Sequence, residues 1–465
     1  MRKALVVSGV LLLGGCASFS EDGGFSTVEN AAQAQLAKRT QRIRSESDAA
    51  SVVQAVKQLL AQPLTADAAV QVALLNNRGL QAAYAELGIA EADLVQAGRM
   101  RNPGFSYARL ERGSETEIER AFIFDLLGLL TIPARTRLEE RRFEQAKAGA
   151  TLEMLRIAAE TRRAWVRAVA ANESVKYFEQ VKEAAEAGAE LARRMALAGN
   201  WGKLEQAREQ LFYAEATAQL ARAQSAAAAA REALTRLMGL WGEDLAYRLP
   251  ERLNELPAGP LEAPNVEAEA MATRLDVQAA KREVEALAES LGLSRATRFV
   301  NVLELSYLRN SEAPRPRQSG YQIELRLPIF DFGDARVAKA EAIYLQALNK
   351  AAQVAVNARS EVREAYLAYR AAYDLAKHYR DEVVPVRKRI SEENMLRYGG
   401  MLIGTFELLA DAREQVAGVN AYLGALRDFW LAEADLAAAR LGRSAAAAGA
   451  AATPAMAPGG AQPAH

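Results

Sequence analysis

The two halves of this chain repeat one another at an offset of roughly 200 residues, which restricts the fold to two copies of one unit rather than several unrelated domains. Leu80-Gln81-Ala82-Ala83 matches Val277-Gln278-Ala279-Ala280, and Ala134-Arg135 opens a long charged stretch as Ala335-Arg336 does. Trp165 falls opposite Tyr366, and Gly199 opposite Gly400. Ala207-Arg208-Glu209-Gln210 recurs letter for letter as Ala412-Arg413-Glu414-Gln415, and Leu237-Met238-Gly239 parallels Arg440-Leu441-Gly442. The landmarks occur in the same order in both halves, which a set of chance matches would not. About four additional residues separate Gly400 from its Ala-Arg-Glu-Gln, so the copies are expected to differ chiefly at that turn.

Each copy alternates in the same way. A helix is expected over about Thr65 to Arg99, and again over Asn265 to Arg298. A strand pair follows at about 103–131 and at about 300–330. Phe105 and Tyr107 share one face before Glu111-Arg112-Gly113-Ser114, and the chain returns through Phe122 and Phe124. In the second copy Tyr321, Ile323, Leu325, Leu327 and Ile329 alternate with Gln322, Glu324 and Arg326, the period of two of a strand with one apolar and one polar face. Asn310 to Gln318, polar and holding two prolines, reads as a solvent loop. Long helices then run over about Ala134–Leu197 and Asp334–Leu396, with Pro385 the one proline expected inside either. Each breaks at a glycine and resumes to about Gly239 or Gly442; Val416, Val419, Leu423, Leu426, Trp430, Ala434, Ala437 and Leu441 form a packing stripe at spacings of three and four.

These lengths imply a rod. A descending helix of about 64 residues spans roughly 95–100 Å at 1.5 Å per residue, and two returning helices of about 38 and 34 residues together climb the same height. Four strands cannot hide their own edges, and an open sheet with one apolar face needs other chains to close it. Two chains would give eight strands and three would give twelve; both are permitted.

The first residues, Met1-Arg2-Lys3 followed by an apolar run from Ala4 to Leu13 and then Gly14-Gly15-Cys16, have the order of a secretory signal, over 1–15. The run is too short to span a bilayer. Leu13-Gly14-Gly15-Cys16 resembles a lipoprotein processing site, so Cys16, the one cysteine, is the expected point of covalent lipid attachment, and Ala17 after it fits sorting to the outer membrane. Residues 16–62 read as an N-terminal linking segment, 251–264 as a Pro-rich link between repeats spanning 63–250 and 265–442, and 443–465 as a disordered tail of Ala, Gly and Pro. Lys plus Arg and Asp plus Glu both number 58, which leaves no electrostatic ground for a nucleic-acid partner. The two histidines, His378 and His465, and the single cysteine form no metal-ligand cluster, and no cofactor is expected.

From Pro63 to Gly442 the chain resembles the TolC-type outer-membrane efflux channels, in the branch that is lipid-anchored. The resemblance rests on Leu64-Thr65-Ala66-Asp67-Ala68-Ala69 with Ala73-Leu74-Leu75-Asn76-Asn77, and on Leu327-Pro328-Ile329-Phe330-Asp331-Phe332-Gly333. It rests most on Arg397-Tyr398-Gly399-Gly400 through Gly404-Thr405-Phe406-Glu407-Leu408-Leu409, continuing to Leu426-Arg427-Asp428-Phe429-Trp430. It implies a mainly helical fold with a small β part, a homotrimer with a twelve-stranded barrel in the outer membrane, and an α-helical tunnel in the periplasm. It also implies partners: a periplasmic adaptor and an inner-membrane, proton-driven pump. Phe105, Tyr107, Phe122 and Tyr321 would face lipid or form the interfacial girdle.

A conduit's working residues gate and select, so the turns near Gly199 and Gly400 are the places where symmetry would gather equivalent side chains. Glu205, Glu407 and Asp411 are the tunnel-entrance candidates, the last two one helical turn apart on one face; the bland alternative is that they solvate a helix. Gly199, Trp201, Tyr398 and Gly400 are the candidates for hairpin tip and adaptor contact, both glycines doubling as left-handed helix stops. An enzyme lacks its parts here: there is no nucleophile elbow, no phosphate loop and no histidine with a partner. The competing function is a periplasmic coiled-coil adaptor or scaffold lipoprotein, which predicts one helical hairpin flanked by compact β domains.

Overall fold

The computed structural model describes residues 18–112, 115–296, 303–312, 316–325 and 332–442. The lipid-attachment site at Cys16, the tail 443–465, residues 313–315 of the inter-strand loop and most of Leu327–Gly333 lie outside the described residues. The elements, in chain order, are α1 Ser26–Leu36, α2 Glu46–Leu60, α3 Ala66–Asn76, α4 Arg78–Ala97, β1 Gly104–Arg112, β2 Glu115–Asp125, α5 Leu126–Leu197 and α6 Lys203–Met238. The second repeat follows with α7 Val266–Thr273, α8 Leu275–Ala296, β3 Leu303–Glu312, β4 Gln318–Leu325, α9 Asp334–His378, a π-helical turn Tyr379–Val383, α10 Val384–Gly399 and α11 Thr405–Leu441. No helix among the described residues is long and apolar enough to cross a membrane.

The chain divides into two compact units. One comprises the described residues up to Val28 with Ala82–Thr151 and Leu275–Val356, and holds the sheet. Its four strands run in the order β1-β2-β3-β4, every neighbour antiparallel, so the hairpins of the two repeats are joined through β2 and β3. Directly opposed residues share a face. One row therefore reads Phe105, Phe122, Tyr307, Tyr321 across all four strands, and the next, toward the helix-bearing ends, Phe124, Leu305, Ile323. Ring centroids lie 5.0 Å apart for Phe105 and Phe122 and 5.5 Å apart for Tyr307 and Tyr321. This apolar face is open: Phe105 is 58% and Tyr321 79% exposed. The opposite face carries Ser106, Ala108, Glu117, Glu119, Asp125, Ser306, Asn310, Gln322 and Glu324.

Several boundaries differ from the sequence reading. β2 ends at Asp125, and the stretch up to 131 assigned to the strand pair is helix instead. Asp125 accepts the Gly128 N–H through Oδ1 at 2.6 Å, which caps α5 and starts it eight residues before Ala134. Pro133 consequently sits inside α5, so Pro385 is not the one proline in a long helix. Pro385 itself falls in the first turn of α10, directly after the π-helical turn, where its missing N–H and bulky ring disturb the regular i to i−4 ladder.

The helix expected over Thr65–Arg99 is two helices, broken at Asn77, and that over Asn265–Arg298 is broken at Arg274. Both breaks lie in the second unit, which comprises Glu29–Gln81, Leu152–Arg274 and the described residues from Asn357 on. Asn77 donates to the Leu237 carbonyl at 2.8 Å, and Asn76 to those of Met238 and Gly239 at 3.1 and 2.8 Å, at the end of α6. Arg274, 2% exposed, donates to the Ala439 carbonyl at 3.0 Å at the end of α11 and pairs with Glu361 at 2.8 Å. The last carbonyls of a helix have no partner within it, and each break supplies one from outside.

A second equivalence ties the repeats together. The Trp165 indole donates to the Leu64 carbonyl at 2.7 Å, and the Tyr366 hydroxyl accepts the Ala263 N–H at 3.4 Å. Thus matching aromatic positions on α5 and α9 anchor the matching segments that enter each repeat. Around them the core gathers Leu64, Val169, Leu234, Met238, Val362 and an aromatic cluster in which Phe429 lies 5.6 Å from Tyr369 and 5.8 Å from Tyr373.

Candidate functional site

The two helical hairpins turn at 198–202 and 400–404, segments of equal length that are built alike. In the first, the Asn200 N–H reaches back to the Met195 carbonyl at 2.9 Å while Gly199 adopts φ +79°. In the second, the Leu402 N–H bonds the Arg397 carbonyl at 2.8 Å, and the left-handed residue is Met401, φ +58°. Gly400 has φ −82°, so it is not the left-handed stop that its alignment with Gly199 implies. Each turn closes on an N-cap glycine, Gly202 or Gly404, in extended conformation. The turns are thus equivalent at an offset of 202, and the additional residues of the second copy do not fall within the turn as the sequence comparison suggested.

At this offset Glu205 and Glu407 are equivalent. Both occupy the third position of their helices, where the unpaired N–H groups and the dipole favour a carboxylate. Glu407 is exposed and Glu205 half-buried. Asp411, one turn beyond Glu407, is half-buried, and its Oδ2 is shielded from solvent without a hydrogen-bond partner. The two acids of α11 therefore occupy different surroundings although they share a helix face. Trp201 is half-buried; Tyr398 is 40% exposed, and its hydroxyl accepts a long 3.5 Å contact from Thr405. Met401 and Leu402, at 93% and 77%, are the most exposed apolar residues of the second turn.

The sequence reading missed the contact that joins the two hairpins. The structural equivalent of Asp411 is Glu209, which is 1% exposed and held by an ion pair to Arg413 of α11. The Arg413 guanidinium also lies 5.3 Å from the Phe212 ring and 5.9 Å from Phe406, and Arg208 stands 5.4 Å over Phe406. The Ala-Arg-Glu-Gln copies carry this pairing: the second lies three residues further along its helix than the first, so the arginine of one copy meets the glutamate of the other. Arg387 of α10 binds Glu414 at 2.9 Å on the outer side. Beyond this network Val181, Ala185 and Ala216 pack with Phe178, Phe212 and Val416, and Tyr177 donates to the Val416 carbonyl at 3.1 Å. Burial pushes the Tyr177 phenol up to about 12, which keeps it a donor throughout the physiological range. No group of histidine, cysteine, aspartate and glutamate among the described residues is arranged to hold a metal ion.

Each half of the chain thus contributes one strand hairpin and one helical hairpin, and the two strand hairpins share one four-stranded sheet. Residues 267–391 match the family described as outer membrane efflux protein. Among characterised relatives, the cobalt-zinc-cadmium resistance protein CzcC of Cupriavidus metallidurans is 28% identical over 277 residues, 58% of this chain. That alignment spans 64% of the relative's own length. The fold resembles that of the Campylobacter jejuni outer membrane channel CmeC, with a TM-score of 0.69 at 16% identity over 89% of this chain and 91% of that one. It also resembles CusC, with a TM-score of 0.65 at 18% identity over 84% and 92%, and the outer-membrane channel OprN, with 0.66 at 20% over 87% and 94%.

Proposed function

We propose that the chain is the outer-membrane channel subunit of a tripartite efflux system. Three copies close a twelve-stranded barrel and pass cargo, delivered by an inner-membrane pump and a periplasmic adaptor, to the exterior. The observation that carries this reading is the sheet: four strands open at both ends of the row, with an exposed face of Phe105, Phe122, Phe124, Tyr321 and Ile323. Such a face and such edges are stable only when neighbouring copies pair the edges and lipid covers the face. Two helical hairpins and a shared sheet are not the single hairpin between compact β domains that an adaptor would need. Planar-bilayer recording of the purified oligomer tests the reading, with stable conductance steps expected; a chain that stays monomeric and never conducts would overturn it.

Cargo is read from the polar face of the same sheet. In the closed barrel that face lines the lumen, where Glu117, Glu119, Asp125 and Glu324 stand with no lysine or arginine among its residues with described side chains. Carboxylates in a confined pore favour cations. This agrees with the metals in the name of the CzcC relative, and divalent metal ions are the proposed cargo. Deleting the gene should sensitise cells to cobalt, zinc or cadmium. At the hairpin turns, Glu205, Glu407 and Asp411 form the tunnel entrance, and Gly199, Trp201, Tyr398 and Gly400 the surface that meets the adaptor. Cys16 carries the lipid anchor.

A further inference from the structure

Arg109, Arg120 and Arg309 share one face of the sheet. On the apolar face, one row beyond Phe105-Phe122-Tyr307-Tyr321 toward the β1–β2 and β3–β4 connections, the register places Tyr107, Arg120, Arg309 and Ser319 side by side. Rows on one face are about 7 Å apart, so the arginines sit immediately past the aromatic row. Arg109 lies in the row after that and pairs with Glu111 at 2.7 Å. Arg120 and Arg309 are directly opposed and both exposed. Like charges in opposed positions oppose strand pairing, and no carboxylate occupies their row. The Arg120 guanidinium lies 6.0 Å from the Tyr107 ring centroid, and the side chain is exposed.

From this juxtaposition we propose that the Arg120–Arg309 pair, with Arg109 above it, is a binding site for the phosphate-bearing headgroup of a lipid in the membrane leaflet nearest the β1–β2 and β3–β4 connections. The inference rests on the barrel reading, which turns the apolar face toward lipid. An aromatic row marks the level where acyl chains give way to headgroups, and the arginines stand at that level on the lipid-facing side. Guanidinium groups bind phosphate through paired, charge-assisted hydrogen bonds, and a phosphate bridging Arg120 and Arg309 would convert their repulsion into a shared contact. Glu117, Glu119, Asp125 and Glu324 lie on the other face; Glu111 is on this face, two rows beyond Arg120, where it pairs with Arg109 and leaves the Arg120–Arg309 row without a carboxylate. Charge complementarity therefore selects an anionic lipid over a zwitterionic one.

The test is native mass spectrometry of the full-length oligomer in detergent, titrated with diphosphorylated lipid A, fully dephosphorylated lipid A and inorganic phosphate. Wild type should retain diphosphorylated lipid A selectively, and the double variant Arg120→Gln/Arg309→Gln should bind it about tenfold more weakly. Both side chains are exposed, so unchanged oligomer mass and heat stability should accompany the loss, and Glu119→Gln, on the opposite face, should bind as wild type. Equal retention of the phosphorylated and dephosphorylated lipids, or equal binding by the double variant, would overturn the proposal. So would displacement by millimolar inorganic phosphate, which would mark a free-phosphate site. Conductance in bilayers free of lipid A reports separately whether the channel reading stands.

Discussion

Glu209 of the first helical hairpin is buried against Arg413 of the second, and the pair joins α6 to α11 near the turns. A buried carboxylate that loses its cation keeps the cost of desolvation without the compensating attraction. Arg413→Met should therefore destabilise the chain by about 3 kcal/mol, the low end of the range for breaking a buried pair, because Arg413 remains 27% exposed. Glu209→Leu with Arg413→Met should cost less than the sum of the single changes. Chemical unfolding of the four members of this cycle measures the coupling; additive losses would show that the pair contributes nothing as a pair.

The turns separate two glycines that look alike in sequence. Gly199→Ala forces a side chain into a left-handed conformation and should cost about 1–2 kcal/mol. Gly400→Ala should be nearly neutral, since φ is −82° and the nearest atoms to an added Cβ are 3.6 Å away. Met401→Gly should stabilise by up to about 1 kcal/mol by relieving φ +58°. Thermal midpoints of the three variants check the order; a loss at Gly400 as large as at Gly199 would contradict it.

Arg274 and Asn77 are the matching breaks of the two repeats, and each satisfies a carbonyl at the end of the returning helix. Arg274→Met strands Glu361 and two carbonyls, and a loss of about 3–5 kcal/mol is expected. Asn77→Ala removes two bonds, the one donated to the Leu237 carbonyl and the one accepted from the Leu80 N–H, and should cost about 2 kcal/mol. Urea midpoints would reverse this order if the arginine were a surface residue in the assembled protein.

Glu433 supplies a pH test. It lines a cavity of about 240 Å³ with Lys38 and Arg162; burial pushes its carboxyl up, Arg162 opposes that, and Asp67 adds to it. Asp67 is itself paired with Arg162 at 2.7 Å and Lys38 at 3.6 Å. A carboxyl with a raised folded pKa binds its proton more tightly in the native state, so ionising it above that pKa costs stability. Glu433→Gln should thus raise the thermal midpoint at pH 7 to 8, and the gain should shrink as pH falls toward the ordinary carboxylate value. A gain that grows on acidification would reverse the assignment.

The repeat and the element order were legible because hydrophobic period and proline placement report on backbone geometry directly. Tyr321 to Ile329 read as a strand, and the structure has β4 over Gln318–Leu325, with 326–329 outside the described residues. The breaks at Asn77 and Arg274 were not legible, because neither is a glycine or proline; both are set by partners roughly 160 residues further along the chain. Met401 defeats the glycine rule for the same reason, since the turn is fixed by its hydrogen bonds rather than by the residue most willing to make it. Glu209 had a visible signal in its four-residue repeat, but its partner depended on a three-residue slide that only the helix starts reveal. Glu205 and Glu407 were noticed for their charge, and the structure adds a local reason for that charge at the third helical position.

β1 and β4 are the outer members of an open row, each with one backbone edge that no strand among the described residues occupies. Under the proposed assembly, completing the sheet is then a function of chain concentration. Halving the number of chains in a compartment lowers the rate at which edges meet by more than half, while the reactions that waste a lone chain slow less. On that proposal, the rates of synthesis and proteolysis decide how much of the protein completes its sheet as directly as any side chain does.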